Sequence, residues 1–472
     1  MKKLLFSLLT LFFIFNLQAQ QVESYSINIE FFPEDAQMWN YPVSPNAFMR
    51  GNSKVKLSEL NTDESTFYMH GEFKIDSIIS NNKVITSTSE KILYDNNYSL
   101  TALKTTIKSK DISPDKTVHI YYSGFMNASR ARSLSDYMNI NKEEGVFIRA
   151  YGYSLWFPLF LEPELDSYKA DFKAITITLP EKFKAVVTGK LINETINNNK
   201  YISIWNPGIV DITNIQCAAR EYKVISEDNV YVYYMTHQNN ARKIIDYTVK
   251  LRNLFKQNLR DVNDVDSLYI IEMPEYGNIS SRNVVGISSD LFNDFENNIN
   301  SKYTIAHELI HPYVKIPVLN DNPFSALITE GFPSFFQVYA LDKTLAEGQY
   351  DLKKKMEQVE ASYIKKKETG KNWRGNPLPK EKPILEISFN EIGEYKDRFI
   401  LSDRVWLFIY HLWDEMGAND FDAFLKELFQ FSTIDYNSFE ELVLKYIPKY
   451  KGKFDLWLNT IDYPETIHIK NN

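Results

Sequence analysis

The segment Tyr303–Val314, YTIAHELIHPYV, constrains this chain more than any other. His307 and His311 stand four residues apart, so on a helix both imidazoles leave one face, a turn apart. That spacing lets two neutral ring nitrogens reach a single Zn²⁺ at about 2.0–2.1 Å each. Glu308 follows the first histidine and is aimed beside such an ion. A carboxylate there can take a proton from a water held by the ion as that water attacks a carbonyl. Two histidines and an acid also occur by chance on an ordinary amphipathic helix, and a third donor separates the two readings. Eighteen residues lie between His311 and Glu330, which sits in Thr329-Glu330-Gly331-Phe332 at a predicted helix start. A turn and return of that length brings a carboxylate to face the imidazoles. Three protein ligands with one open position define a catalytic zinc site, here one Zn²⁺ per chain. Pro312 must end or kink the helix, so the site requires His311 to be the last helical residue.

The other histidines, His70, His119, His237, His411 and His468, have no comparable surroundings and read as surface or packed residues. The one cysteine, Cys217, permits no internal disulfide and reads as a small buried apolar residue. Formal net charge is −8, which argues against a general nucleic-acid binder. Residues 1–19 have the form of a secretory signal: Lys2 and Lys3, then an apolar run from Leu4 to Leu17, then Gln18-Ala19. That reading expects an exported protein, periplasmic or extracellular, with no membrane span after signal removal.

A chain of 472 residues suits more than one core. Residues 20–225 read as a β domain. Val118, Ile120 and Tyr122 alternate on one face, as do Ile175, Ile177 and Leu179, and Asn pairs such as Asn81-Asn82 and Asn198-Asn199 punctuate the runs. Residues 226–472 change character. Strands are expected over 229–235, 267–273 and 283–288, and helices over 241–259, 301–311, 325–345, 350–367, 402–416, 419–431 and 438–447. The segment 368–382 is expected to be an exposed loop.

With its Glu-Gly-Phe continuation, the His307–Glu330 pattern resembles the aminopeptidase N and leukotriene hydrolase family of gluzincins. Ala150–Pro158, Pro163–Pro180, Leu401–Gly417 and Phe454–Pro464 are similar to other parts of that family. The resemblance implies a multidomain α+β protein: a β-sandwich or saddle-like N-terminal domain, then a thermolysin-like zinc metallopeptidase domain. It implies peptide-bond hydrolysis on a peptide or protein substrate, with His307, His311 and Glu330 on the metal and Glu308 as general base. The chain departs from the family where the substrate's free amine is held. The stretch 278–286 has no acid, and Arg149 aligns with the β-domain residue that usually helps. Arg149 and Arg282 in such places favour a carboxylate or phosphate over an ammonium, although unrelated ion pairs explain them equally well. Ser402 stands where the family has its transition-state tyrosine, and Tyr395 is the nearest candidate donor. These departures keep open a second reading, a catalytically weak zinc protein that binds peptides or a partner.

Overall fold

The computed structural model describes residues 22–37, 46–60, 63–95, 100–126, 138–141, 145–148, 154–160, 168–235, 237–259, 267–273, 279–314, 327–372, 375–387, 403–431 and 434–462. The chain divides into two compact units, residues 1–223 and 224–472.

The first unit is built from sheets. Its largest has nine strands. In order they are Lys190–Asn197, Lys200–Asn206, Lys169–Pro180, Val22–Gln37, Asn46–Leu57, Thr117–Met126, Phe73–Ser80 and Lys83–Val84, with Gly208–Asp211 also pairing to Lys169–Pro180. Val22–Gln37 runs parallel to Lys169–Pro180, and the other pairings are antiparallel. Period-2 alternation places Tyr25, Ile27, Ile29 and Phe31 in the core with Val118, Ile120, Tyr122, Ile175, Ile177 and Leu179. The Asn pairs are two-residue hairpin loops. Asn81-Asn82 and Asn198-Asn199 all have positive φ, which type I′ turns require and asparagine tolerates best after glycine. Gly51 is needed for packing: a Cβ there would come within 2.0 Å of the Tyr122 ring. A four-stranded sheet (Lys184–Val187, Cys217–Arg220, Gly145–Ile148, Met138–Asn141) and a three-stranded one (Glu64–His70, Leu100–Lys108, Ser87–Asp95) are the unit's other sheets among the described residues. Cys217 is fully buried.

The second unit opens with a five-stranded sheet ordered Lys223–Glu227, Val230–Tyr234, Leu268–Met273, Val284–Ser288 and Ile279–Ser281. The middle three strands are parallel, and Ile279–Ser281 is an antiparallel edge. Glu272 ties the ends of the parallel strands together. One carboxylate oxygen accepts from the Met235 N–H at 2.7 Å and the other from the Ser289 hydroxyl at 3.0 Å. Nine α-helices are described: α1 (Gln238–Asn258), α2 (Ser289–Asn293), α3 (Ile299–Ile310), α4 (Phe332–Thr344), α5 (Leu352–Thr369), α6 (Val405–Met416), α7 (Ala418–Leu428), α8 (Tyr436–Tyr446) and α9 (Lys453–Leu458). One apolar core joins them, with Phe332, Phe335, Phe336, Tyr339, Phe421 and Phe429 forming an aromatic row between α4 and α7.

The segment 368–382 is only partly the exposed loop expected. Gly370 turns the chain at φ 61, but Glu381 folds inward. Its carboxylate pairs with the fully buried Arg404 at 3.1 Å and accepts from the Tyr363 hydroxyl at 2.7 Å. The second Arg404 nitrogen, Nη2, donates to the carbonyls of Leu456 (2.9 Å), Thr460 and Asp462 (3.4 Å). A buried cation needs this many acceptors, which a reading of apolar content alone does not detect.

Candidate metal centre

Helix α3 starts at Asn298, whose side chain accepts from the Asn300 N–H at 3.0 Å and so caps a free donor. Ile305, Ala306, Leu309 and Ile310 are buried against α1, α4 and the strand Val284–Ser288, which fixes the rotation of the helix. The helix ends at Ile310, with His311 as its C-cap in helical backbone geometry (φ −48°, ψ −44°). Pro312 supplies no N–H to continue it, and the Tyr313 and Val314 amides turn back onto the Ile310 carbonyl at 2.8 and 3.1 Å. His311 is thus the last position at which a side chain still projects in register with His307.

The imidazoles of His307 and His311 lie with ring centroids 4.9 Å apart and planes at 87°. Glu330 meets them from the following segment. It does not open an α-helix, as expected, but sits in a π-helical turn, Leu327–Gly331, that runs directly into α4. Leu327, Ile328 and Phe332 are buried, and α4 and α6 pack against this turn. A π turn carries an extra residue per hydrogen-bonded ring and so changes the direction of the side chains it holds.

The three side chains converge. A ligating atom from each of His307, His311 and Glu330 lies within 4.8 Å of the other two, the one such cluster of His, Cys, Asp or Glu among the described residues. His307 Nε2 and Glu330 Oε2 are 3.6 Å apart, with side chains only 11% and 15% exposed. That separation is too long for a hydrogen bond. It is close to the roughly 3.4 Å expected between two tetrahedral ligands at ~2.0–2.1 Å from one ion. Two imidazole nitrogens and a carboxylate oxygen are a zinc-type donor set, so the residues fit the ion. Glu308, one position on from His307, is turned about 100° around α3 and is partly exposed.

Arg149, Tyr395 and Ser402 lie outside the described residues. Arg282 is the first residue of the turn joining Ile279–Ser281 to Val284–Ser288, at φ 53°. Both strands of this hairpin pack against α3. Among the described residues, the histidines outside the cluster are packed, half-buried or exposed, and His468 lies outside those residues. His70 is buried and its Nδ1 accepts from the Glu72 N–H at 3.3 Å, while His411 packs at a tilt against Tyr450 and Trp457. What the sequence reading missed was the π turn and the Arg404 clamp. Neither has a local signal, because both depend on packing between distant segments.

No protein-family model matches the chain, and no curated protein matches it in sequence. Its fold, however, is shared with the M1 zinc metallopeptidases and LTA4 hydrolase. The M1 zinc metallopeptidase of Deinococcus radiodurans, as a glutamate-to-alanine mutant bound to a Tyr-Ser-Ala substrate, superposes with a TM-score of 0.63 at 12% identity. That match covers 96% of this chain and 97% of the other. Yeast LTA4 hydrolase in complex with bestatin gives a TM-score of 0.63 at 14% identity, covering 96% of this chain and 70% of the other. A two-domain M1 zinc metallopeptidase, as a glutamate-to-alanine mutant bound to L-arginine, gives 0.63 at 12%, covering 96% and 97%. At these identities the likeness establishes the fold: a sheet-rich N-terminal part and a helical C-terminal part.

Proposed function

We propose that this chain is an exported zinc-dependent metallopeptidase that hydrolyses peptide bonds, with a thermolysin-like arrangement of its second unit. The observation that carries the reading is the convergence of His307, His311 and Glu330 on a fold shared with M1 zinc metallopeptidases. These three residues would hold the ion. When bound, zinc supplies a Lewis acid that polarises a carbonyl and lowers the pKa of water. Glu308, next to the first ligand, takes a proton from the attacking water and passes it to the departing amine nitrogen. Tyr395 is the candidate hydrogen-bond donor to the developing oxyanion. One of the neighbours was captured with a tripeptide, which supports a peptide substrate here.

The edge strand Ile279–Ser281 lies against α3, and the stretch 278–286 contains no carboxylate to hold a free amine. With Arg282 at its turn and Arg149 as the second candidate cation, the site favours an internal or anionic peptide segment over a free N-terminus. The same feature, together with serine at 402, supports the second reading, a zinc protein that binds peptides and turns them over weakly. A peptide-library digest with wild type and Glu308→Gln, alongside metal analysis, separates the two. Cleavage lost in the variant while zinc is retained supports the peptidase. No cleavage by either protein supports the binding role.

A further inference from the structure

The four-stranded sheet of the first unit sets two cations side by side. Lys184 and Arg220 are directly opposite residues of an antiparallel pair. Such partners point to the same face with Cβ atoms about 4.5–5.5 Å apart, and like charges so placed are destabilising. Nothing among the described residues relieves them. The Nε and Nη1 atoms of Arg220 are sealed from solvent with no hydrogen-bond acceptor. Lys184, half-buried, has no ion pair or hydrogen bond among the described residues. The next acid along the chain, Glu221, alternates to the opposite face and pairs with Lys182 at 3.1 Å.

The two cations stand over an apolar floor. Val186, Ala218 and Phe147 share the face of the two cations and are buried. Beside Arg220 the neighbouring strand begins at Gly145, with φ +86°, where a Cβ would come within 2.0 Å of the Ala219 carbonyl oxygen. No side chain can stand there. A guanidinium with sealed, unanswered N–H groups costs free energy that an anion would offset, and a guanidinium is well shaped to grip an oxyanion.

We propose that Lys184 and Arg220 form a binding site for a small oxyanion, a phosphate or a carboxylate, on the four-stranded sheet of the first unit. The site is local, because the chain as a whole carries a net charge of −8. Calorimetric titration of the full chain with inorganic phosphate, and separately with acetate, tests it; comparing the two arms identifies the source of the oxyanion. Saturable binding of at least one anion is expected, weakened at least tenfold by Arg220→Leu and about threefold by Lys184→Met. In anion-free buffer Arg220→Leu should melt no lower than wild type, since its charge has no partner to lose. If that variant does not fold, Lys184→Met decides alone. The nearest preceding acids, Glu143 and Glu144, lie outside the described residues. A double change to glutamine that creates binding absent in wild type would mean an internal carboxylate fills the site. That outcome, no binding of either anion, or affinity unchanged in the variants would overturn the proposal.

Discussion

His307 Nε2 and Glu330 Oε2 lie 3.6 Å apart, a distance that suits two ligands of one ion better than a hydrogen-bonded pair. Twenty-two residues lie between them in the chain, so an ion bound between them cross-links α3 to the turn before α4. Metal removal should therefore lower stability as well as activity. An ion present at about 1,000 times its Kd adds roughly 4 kcal/mol. Calorimetry with and without a chelator should show a fall of several degrees in Tm, restored by zinc. In Glu330→Ala the chelator should have little further effect.

The turn that presents Glu330 makes a second prediction. Leu327–Gly331 is π-helical, so removing one residue, Thr329, would let it relax into α geometry and swing Glu330 away from the imidazoles. Zinc affinity should fall at least tenfold while helical circular dichroism stays close to wild type. Full zinc affinity in the deletion variant would show that the turn's geometry is immaterial.

Much of this architecture was legible in sequence. The alternation of Val118, Ile120 and Tyr122 and the asparagine pairs are local signals with local causes, and strands and hairpins formed where they point. The four-residue spacing of His307 and His311 worked likewise, because helix geometry alone sets where both rings point. The π turn was not legible, since buried Leu327, Ile328 and Phe332 fit an ordinary helix equally well. Nor was the Lys184–Arg220 pair, whose juxtaposition depends on strand register between distant segments. Glu381 was misread for the same reason: its partner Arg404 arrives from beyond the loop.

Arg404 itself is a stability prediction. Fully buried, it serves Glu381 and the carbonyls that close α9, so Arg404→Leu leaves a buried carboxylate and several carbonyls unanswered. The cost should be about 3–5 kcal/mol in urea unfolding. Adding Glu381→Met should recover part of it, because the uncompensated acid is then gone.

His411 predicts a pH dependence. Burial, its largest influence, lowers its pKa from the ordinary 6.5, and the nearby Glu415–Lys449 ion pair and Lys453 do not reverse that direction. Above 6.5 the ring is neutral folded or unfolded and adds no slope. Below 6.5 the unfolded chain binds a proton that the folded chain resists. Stability is therefore lost as pH falls through that window toward the lowered folded value. Thermal unfolding between about pH 7.5 and 5.5 should show a shallower decline in His411→Phe than in wild type.

The most direct measurement is the metal content of the purified full chain by elemental analysis, beside a His311→Ala variant of the same preparation. Wild type should hold about one zinc per chain after dialysis, and the variant should hold almost none. A wild-type protein that binds no metal when zinc is supplied, or a variant that keeps it, would contradict the assignment of His307, His311 and Glu330 as its ligands.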